Sequence, residues 1–215
     1  MTTVIVLLAA AAAAYFLGCL NGAILISRAI FREDVRQKGS GNAGLTNFYR
    51  NYGAKGVLGV IAIDMLKAAA SVLFGRFLFA YFLHQPVLGA YWGGLWVILG
   101  HSYPCTFGFK GGKGILCAGM MLILLDWRIA VVGFGAFFAG AILSGYISLG
   151  SILAIISFPI TTFWVFRGEA MYPWIMAIAL AAAASTFWSH RSNVKRLLKG
   201  KENKFHFHGV KEKTE

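Results

Sequence analysis

The chain has 215 residues, of which 58% are hydrophobic and only 13% are charged, and its mean hydropathy is +0.68. A soluble domain of this size carries about 25% charged residues, so the composition excludes an ordinary soluble protein and indicates a polytopic membrane protein. The formal net charge is +12, but the cations are confined to a few segments between apolar runs, which argues against a nucleic-acid-binding surface.

Seven apolar segments predict an all-α bundle of seven transmembrane helices, at about 4–27, 56–83, 87–107, 114–125, 129–147, 152–166 and 173–189. Sixteen of the 20 Lys and Arg residues lie in the 28–56 loop, the 108–113 loop and the tail, whereas the alternate loops hold only Arg128 and Arg167. By the positive-inside rule, the N-terminus is outside and the C-terminus is cytoplasmic. We therefore predict a membrane domain over residues 1–190 and a basic cytoplasmic tail over residues 191–215.

The first polar loop contains the stretch GSGNAGLTNFYR, from Gly39 to Arg50. Backbone amides exposed by glycine form concave anion sites, and a basic side chain completes a phosphate site. The stretch also interleaves small hydrogen-bonding side chains with the glycines, which a plain flexible loop does not need. The candidate phosphate-binding residues of this loop are Gly39, Ser40, Gly41, Asn42, Thr46, Asn47 and Arg50.

The second segment contains Asp64 and Lys67, whose i, i+3 spacing predicts an ion pair, because an intramembrane charge is costly unless it is paired. The third segment ends in GHSYP, where His101 is either a general acid or base or a residue that bonds a helix terminus. The loop GFKGGKG follows, and it is not a Walker A loop because no Ser or Thr follows its second lysine. Its candidate anion-binding residues are Lys110, Gly111, Gly112 and Lys113.

Hydroxyl groups cluster where the fifth segment meets the sixth. The side chains of Tyr146, Ser148 and Ser151 either donate to a phosphate oxygen or bond back to a helix carbonyl. The three cysteines, Cys19, Cys105 and Cys117, lack metal-ligand spacing, and we interpret them as small hydrophobic packing residues.

Polar residues recur where the last segment ends. His190, Asn193 and Arg196 follow one another at i, i+3 and i+6 and so roughly share a helix face. The start of the tail has the spacing of an amphipathic interfacial helix. The stretch after Lys204, which includes His206 and His208, is interpreted as a frayed end rather than a metal site.

These motifs, in this order, resemble those of one family: GSGNAGLTNFYR, Asp64 with Lys67, GHSYP with FKGGKG, SLGS, and HRSNVKRLLKGKE. The family is the bacterial membrane glycerol-3-phosphate acyltransferases of the PlsY type, which use acyl-phosphate as donor, and the resemblance runs from about Gly18 to Glu202. It implies a seven-helix bundle in the plasma membrane with its active site at the cytoplasmic face. The implied reaction moves a fatty acyl group to the 1-hydroxyl of glycerol-3-phosphate, as the first step of phospholipid synthesis.

By matching motif positions, the resemblance implies catalytic or phosphate-binding roles for Ser40, Arg50, Lys113, His190 and Asn193. It implies substrate contacts from Ser151 and from the glycines of the first loop, and we add His101, Ser148 and Arg196 as candidate contacts. Neither a cofactor nor a metal ion is implied, and the oligomeric state is left open. The chain departs from the family pattern at Ala43, Leu45, Ala68 and the pair Asn21-Gly22, which leaves room for another acceptor.

An acyl-phosphate is a mixed anhydride with an activated carbonyl, so an enzyme that uses it needs mainly positioning and charge stabilisation. The sequence shows no Ser-His-Asp arrangement and no obvious cytoplasmic carboxylate base. A substrate phosphate oxygen is therefore expected to take the proton of the acceptor hydroxyl, with His101 or His190 as the fallback base.

Two other functions remain open at this point. A transporter or exchanger of phosphorylated metabolites would also need cationic loops and buried charges, but it predicts inverted repeats and broken mid-membrane helices. A non-catalytic binder of anionic lipids would use the basic tail, and it would leave the two glycine loops without a purpose.

Overall fold

The computed structural model describes residues 1–205, and this part of the chain is all-helical. Two short 3-10 turns, Val35–Gln37 and Cys105–Phe107, precede the two glycine-rich loops. His206, His208 and the predicted frayed end lie outside the described residues. The α-helices are α1 (Thr2–Gly18), α2 (Gly22–Phe31), α3 (Leu45–Tyr52), α4 (Val57–Leu83), α5 (Pro86–Ser102), α6 (Ile115–Leu125), α7 (Trp127–Ser144), α8 (Ile147–Phe166), α9 (Tyr172–Ser189) and α10 (Arg191–Leu198).

Each of the seven predicted segments overlaps at least one of these helices. Four stretches within residues 1–205 are long and apolar enough to cross a membrane, namely Thr2–Phe31, Val57–Leu83, Trp127–Ser144 and Ile147–Phe166. Helix α6 has 11 residues and is shorter than the roughly 20 that a full span needs. The protein is therefore a multi-pass, all-α membrane protein, while the count of seven spans and the orientation of the termini stay predictions.

The first predicted segment is wrong in one respect, since it is not one helix but breaks at residues 19–21. Asn21 Oδ1 accepts a hydrogen bond of 3.0 Å from an amide in the first turn of α2 and so caps that helix. Lys67 Nζ donates to the carbonyl oxygens of Gly18 and Leu20, at 3.1 and 2.6 Å. These bonds satisfy polar backbone groups that an apolar environment would leave without partners.

Glycine allows the closest approaches between the long helices. A Cβ atom added to Gly75 of α4 would lie 2.3 Å from the carbonyl oxygen of Gly89 in α5. A Cβ atom added to Gly150 of α8 would lie equally close, at 2.3 Å, to the carbonyl oxygen of Phe137 in α7. Small residues at helix crossings are the usual way in which membrane helices pack. A larger side chain at either crossing would force the two backbones apart.

A separate apolar cluster supports the polar end of the molecule. Val35, Phe48 and Val60 are buried within it, and they join the first polar loop to α3 and α4. The predicted 28–56 loop therefore contains a helix, α3, that the sequence analysis did not include. This helix carries Thr46, Asn47 and Arg50, which were predicted to lie in a phosphate-binding loop.

Candidate functional site

A cavity of about 620 Å³ lies where the two glycine-rich loops, the start of α8 and the chain after α9 meet. Its lining includes the five residues that the resemblance marks as catalytic: Ser40, Arg50, Lys113, His190 and Asn193. Among the other candidates, it also includes Gly39, Asn42, Thr46, Asn47, His101, Ser148, Ser151 and Arg196. The structure thus brings both loops and the tail motif to one place, but Gly41, Lys110, Gly111 and Gly112 are not part of the lining.

Asn47 organises the first loop. Its Nδ2 atom donates to the carbonyl oxygens of Val35, Lys38 and Asn42, at 3.1, 3.1 and 3.0 Å. Its Oδ1 atom accepts from the backbone amide of Ser40 at 3.0 Å. All of these bonds serve the loop itself. Asn47, predicted as a substrate contact, therefore acts by positioning Ser40 and Asn42 at the edge of the cavity.

The second loop runs against the end of α5. The amides of Gly111 and Gly112 donate to carbonyl oxygens at the end of that helix, at 3.2 and 3.1 Å. A Cβ atom on Gly112 would lie 2.1 Å from His101 Nε2, so glycine is needed for this close approach. The prediction that these two amides bind phosphate does not fit this geometry, because the fold already uses them. Lys110 is exposed outside the cavity, whereas Lys113 brings a charge into it.

Arg36 joins the two loops. Its Nη1 atom donates to the carbonyl oxygens of Phe107 and Lys110, at 2.7 and 3.1 Å. Its Nη2 atom forms an ion pair with Asp34 at 2.8 Å. This guanidinium holds the pKa of Asp34 well below its usual range. The sequence analysis counted Arg36 only as a positive charge, because its carbonyl partners lie 71 and 74 residues away.

Three cations converge in the cavity: Arg50 of α3, Lys113 of the second loop and Arg196 of α10. Lys113 Nζ donates to Asn193 Oδ1, and Asn193 Nδ2 donates to Glu202 Oε1 at 3.2 Å. Arg196 Nε donates to Glu202 Oε2 at 2.9 Å. Burial, followed by repulsion from Arg196 and Arg50, lowers the pKa of Lys113 to about 8, so the ammonium is still mostly protonated at neutral pH. One carboxylate thus faces three cations.

Glu202 is a site residue that the sequence analysis missed. After α10 the chain turns back, so that residues 201–205 lie along the cavity. The Phe205 amide donates to the Gly145 carbonyl at 2.8 Å, and Arg50 Nη2 donates to the Asn203 carbonyl at 3.2 Å. Gly200, with a φ of 64°, ends α10 and permits the turn, but the contacts that hold the following residues along the cavity are long-range. The sequence showed no obvious carboxylate base, and the carboxylate that the structure adds to this cavity, Glu202, accepts hydrogen bonds from Asn193 and Arg196.

The two histidines of the cavity have different partners. His190 Nδ1 lies 2.8 Å from the Thr186 carbonyl, which can only accept, so Nδ1 carries the proton and Nε2 is an acceptor. Burial lowers the pKa of His190 to about 4, so this ring is neutral at pH 7. His101 Nδ1 lies 2.9 Å from Lys67 Nζ and 3.5 Å from Asp64 Oδ1, so this ring belongs to the buried group around Lys67. His190 is therefore the histidine with a defined acceptor atom, Nε2.

The predicted ion pair of Asp64 and Lys67 is confirmed, with Nζ and Oδ1 at 2.8 Å and both side chains buried. Asp64 Oδ1 also accepts from the Gly22 amide at 3.1 Å. Asp64, His101 and Cys117 place one ligand atom each within 4.8 Å of one another, a spacing that suits a metal ion. Lys67 Nζ already lies in contact with both Asp64 Oδ1 and His101 Nδ1, so an ammonium is the cation at the centre of this group.

The two candidate serines differ in their bonds. Helix α8 begins at Ile147 rather than at the predicted 152, so both serines lie in its first turns. Ser151 Oγ donates to the Ile147 carbonyl at 2.9 Å, which is the back-bonding alternative. Ser148 Oγ is buried without a hydrogen-bond partner among residues 1–205. Ser148 is therefore the serine with a hydroxyl free to donate.

A second cavity, of about 220 Å³, adjoins the first and shares Ile115, Leu116 and Phe137 with it. Side chains from α6, α7, α8 and α9 line it, and Thr186 is its polar residue. A cationic space and an apolar space thus lie side by side at the end of the helix bundle.

Comparison with known proteins gives relatives of similar length. A protein from Thermoanaerobacter pseudethanolicus named glycerol-3-phosphate acyltransferase is 34% identical over 193 residues, which cover 89% of this chain and 91% of the relative. A protein of the same name from Proteus mirabilis is 35% identical over 202 residues, which cover 94% of this chain and 87% of the relative.

The fold has solved counterparts as well. The crystal structure of PlsY, an integral membrane glycerol 3-phosphate acyltransferase, in its glycerol 3-phosphate form has a TM-score of 0.81 and 31% identity, covering 93% of this chain and 96% of that one. Its lysophosphatidic acid form has a TM-score of 0.77 and 30% identity, covering 93% and 95%. The sequence model described as glycerol-3-phosphate acyltransferase matches residues 8–200. A match of this length, with a shared fold, means that the chain belongs to the glycerol-3-phosphate acyltransferase family and is of the PlsY type.

Proposed function

We propose that this protein transfers a fatty acyl group from acyl-phosphate to the 1-hydroxyl of glycerol-3-phosphate. The products are 1-acyl-glycerol-3-phosphate and inorganic phosphate, and the reaction is the first step of phospholipid synthesis. The observation that carries the proposal is the junction of a cationic cavity with an apolar one, because an acyl-phosphate pairs a phosphate with a fatty chain that the apolar space can receive, while glycerol-3-phosphate brings a second phosphate to the cations. Membership of an acyltransferase family argues against the transporter alternative.

The cationic cavity supports the binding of the phosphates. Arg50, Lys113 and Arg196 supply charge-assisted donors, which form the stronger hydrogen bonds to phosphate oxygens. Ser148 adds a hydroxyl that is free to donate. Glu202 faces these cations, and Asp64, which also lines the cavity, is paired with Lys67. The cations therefore keep a positive excess that reduces the repulsion between an acyl-phosphate and glycerol-3-phosphate held side by side.

The apolar cavity supports the choice of donor. A fatty acyl chain that enters it along Ile115 and Leu116 keeps its carbonyl end at the border with the cationic cavity. Burial of the chain contributes about 0.8 kcal/mol per methylene if the chain comes from water, and this energy is available for positioning. An acyl-phosphate then has its leaving group among the cations, where charge develops during the reaction.

The proposed chemistry is one displacement at the acyl carbon. The oxygen of the 1-hydroxyl forms a bond to the carbonyl carbon, and the bond from that carbon to the phosphate oxygen breaks. His190 Nε2, as an acceptor, orients the hydroxyl, but a ring with a pKa of about 4 holds a proton poorly. A phosphate oxygen, with a second pKa of about 6, is the better base, so the hydroxyl proton passes to the leaving phosphate.

The proposed topology follows the sequence analysis. Seven helices cross the plasma membrane, with the N-terminus outside and the active site facing the cytoplasm. The division at residue 190 separates the bundle from the tail in the sequence, but the two parts form one site in the folded protein. Asn193, Arg196 and Glu202 lie beyond it and line the same cavity as Lys113, so we expect a protein truncated at residue 190 to lack activity.

A donor comparison tests this function. Purified full-length protein in detergent is offered acyl-phosphate, acyl-CoA or acyl carrier protein, each with labelled glycerol-3-phosphate as acceptor. We expect labelled lysophosphatidic acid from acyl-phosphate alone. Equal product from a thioester donor would refute the donor assignment. A protein that shows a cooperative thermal unfolding transition, and is therefore folded, but gives no product with any donor would refute the proposed acceptor.

A further inference from the structure

Two cysteines that lie far apart along the chain meet beside the second loop. Cys19 directly follows α1, and Cys105 begins the short turn that follows α5. Their Sγ atoms are 3.8 Å apart, which is a contact between two thiols. The sequence analysis interpreted all three cysteines as packing residues. That interpretation fits Cys117, which is buried in α6, but it does not explain a thiol pair that reaches the surface.

The two thiols differ in access. Cys105 is exposed, whereas Cys19 is 2% exposed. A solute oxidant therefore reaches Cys105 first, and the thiol of Cys19 is already in contact with the sulfur that becomes oxidised. A sulfenic acid that has a second thiol beside it condenses to a disulfide rather than proceeding to irreversible acids.

We propose that Cys19 and Cys105 form an oxidation site for hydroperoxides. The thiolate of Cys105 attacks the hydroperoxide, the O–O bond breaks, and Cys105 becomes a sulfenic acid while an alcohol or water leaves. The thiol of Cys19 then attacks the oxidised sulfur, a second water leaves, and a disulfide remains. The two sulfurs together give up two electrons, which reduce the peroxide. In a reducing compartment such a bond is transient, as in redox sensing.

The site connects to the second loop through the backbone. A disulfide shortens the Sγ–Sγ distance from 3.8 Å to about 2.05 Å. Lys67 fixes the carbonyl groups on either side of Cys19, so the closure moves the Cys105 turn instead. Arg36 bonds the Phe107 carbonyl of this turn and the Lys110 carbonyl of the second loop, so we expect the movement to reach the segment that leads to Lys113.

Displacement of Lys113 lowers the rate. A misplacement of about 1 Å costs up to 10²-fold in catalysis, so we expect the disulfide to lower kcat/KM for glycerol-3-phosphate by about 10-fold. Reduction with dithiothreitol restores the original value. This effect on rate rests on the proposed function, whereas formation of the disulfide does not.

Thiol counting tests the oxidation site. Full-length protein in detergent is treated with hydrogen peroxide, denatured, and alkylated, and the intact mass is measured. We expect two of the three cysteines to escape alkylation in the wild type, and both remaining cysteines to escape it in the control variant Cys117→Ala. We expect no such protected pair in Cys105→Ser or Cys19→Ala. Protection that survives in Cys105→Ser, or a disulfide that links two chains on a non-reducing gel, would overturn the proposal.

Activity before and after oxidation tests the link to the second loop. We expect oxidation to lower kcat/KM in the wild type and in Cys117→Ala, and dithiothreitol to restore it. In Cys105→Ser, we expect oxidation to leave kcat/KM unchanged. A disulfide that forms with no change in kcat/KM would overturn the link. If the untreated protein has no acyltransferase activity, the proposed function fails, while the thiol count still decides whether the oxidation site exists.

Discussion

The ammonium groups of Lys67 and Lys113 lie in two very different parts of the same molecule. Lys67 is buried beside Asp64, and its Nζ atom also contacts His101 and two backbone carbonyls. Lys113 lies at the edge of a cavity, where Asn193 is its hydrogen-bond partner and two further cations are close. In the first group the positive and negative charges balance within the protein, and in the second group they do not.

The difference indicates what each group does. A buried charge that is fully paired holds backbone segments together, as Lys67 does where α1 breaks from α2. A cluster with surplus positive charge is unfavourable by itself and becomes favourable when an anion binds. In the proposed function, the same residue type therefore serves the fold in one place and the substrate in the other.

The largest effect is expected from breaking the balanced group. Lys67→Met leaves Asp64 buried without a counter-charge, which should lower the free energy of unfolding by about 3–5 kcal/mol. Thermal unfolding in detergent measures the loss. The matched control, Asp64→Asn with Lys67→Met, removes both charges and should recover much of the stability. Equal stability of Lys67→Met and wild type would contradict the structural role of the pair.

Removing the surplus charge should affect the rate and spare the fold. Lys113→Ala removes a charge-assisted contact of about 1.5–3 kcal/mol, so kcat/KM should fall roughly 10- to 150-fold while the unfolding temperature stays close to that of wild type. Lys110→Ala, three residues earlier and outside the cavity, is the matched control, and its kcat/KM should change by less than about twofold. Equal losses in the two variants would show that general loop charge, rather than the position of Lys113, matters.

A pH profile sharpens the comparison. The Lys113 pKa of about 8 means that the required cation is present below pH 8 and is lost as the pH rises through this value. From about pH 7 to 9.5 the substrate phosphate stays dianionic and does not contribute to the profile. Above the pKa of Lys113, kcat/KM should therefore decline, and the slope of the decline should approach about 10-fold per pH unit. Lys113→Arg keeps its charge over this range and should lose the alkaline decline, although its rate is lower. An unchanged decline in this variant would assign the titration to another group.

The smallest effect concerns the serines of α8. Ser148→Ala removes a hydroxyl that is free to donate, and a neutral hydrogen bond contributes about 0.5–1.5 kcal/mol, so kcat/KM should fall about 2- to 10-fold. Ser151→Ala removes a bond to the Ile147 carbonyl and should have the smaller effect on the rate. A larger loss of kcat/KM in Ser151→Ala than in Ser148→Ala would favour Ser151, the serine that the family resemblance marks, as the substrate contact.

The sequence predicted the features that depend on local spacing or on the asymmetry of charge. The i, i+3 pairing of Asp64 and Lys67 is local, and both polar loops follow from the distribution of Lys and Arg. Glu202 and the Cys19–Cys105 contact could not be predicted, because each depends on segments that meet only in the folded chain. The structural role of Gly112 could not be predicted either. Its amide donates to a carbonyl of α5, and no pattern in the loop sequence indicates this hydrogen bond.

Glu202 has a consequence for the kind of anion that the cavity accepts. Its carboxylate is a tethered counterion of Arg196 and also accepts from Asn193, so any anion has to compete with it for these donors. A singly charged competitor, such as chloride or a phosphodiester, exchanges one negative charge for another and gains little. A phosphomonoester dianion brings a second charge to the remaining cations and gains more. We therefore expect the internal carboxylate to favour doubly charged headgroups over singly charged ones.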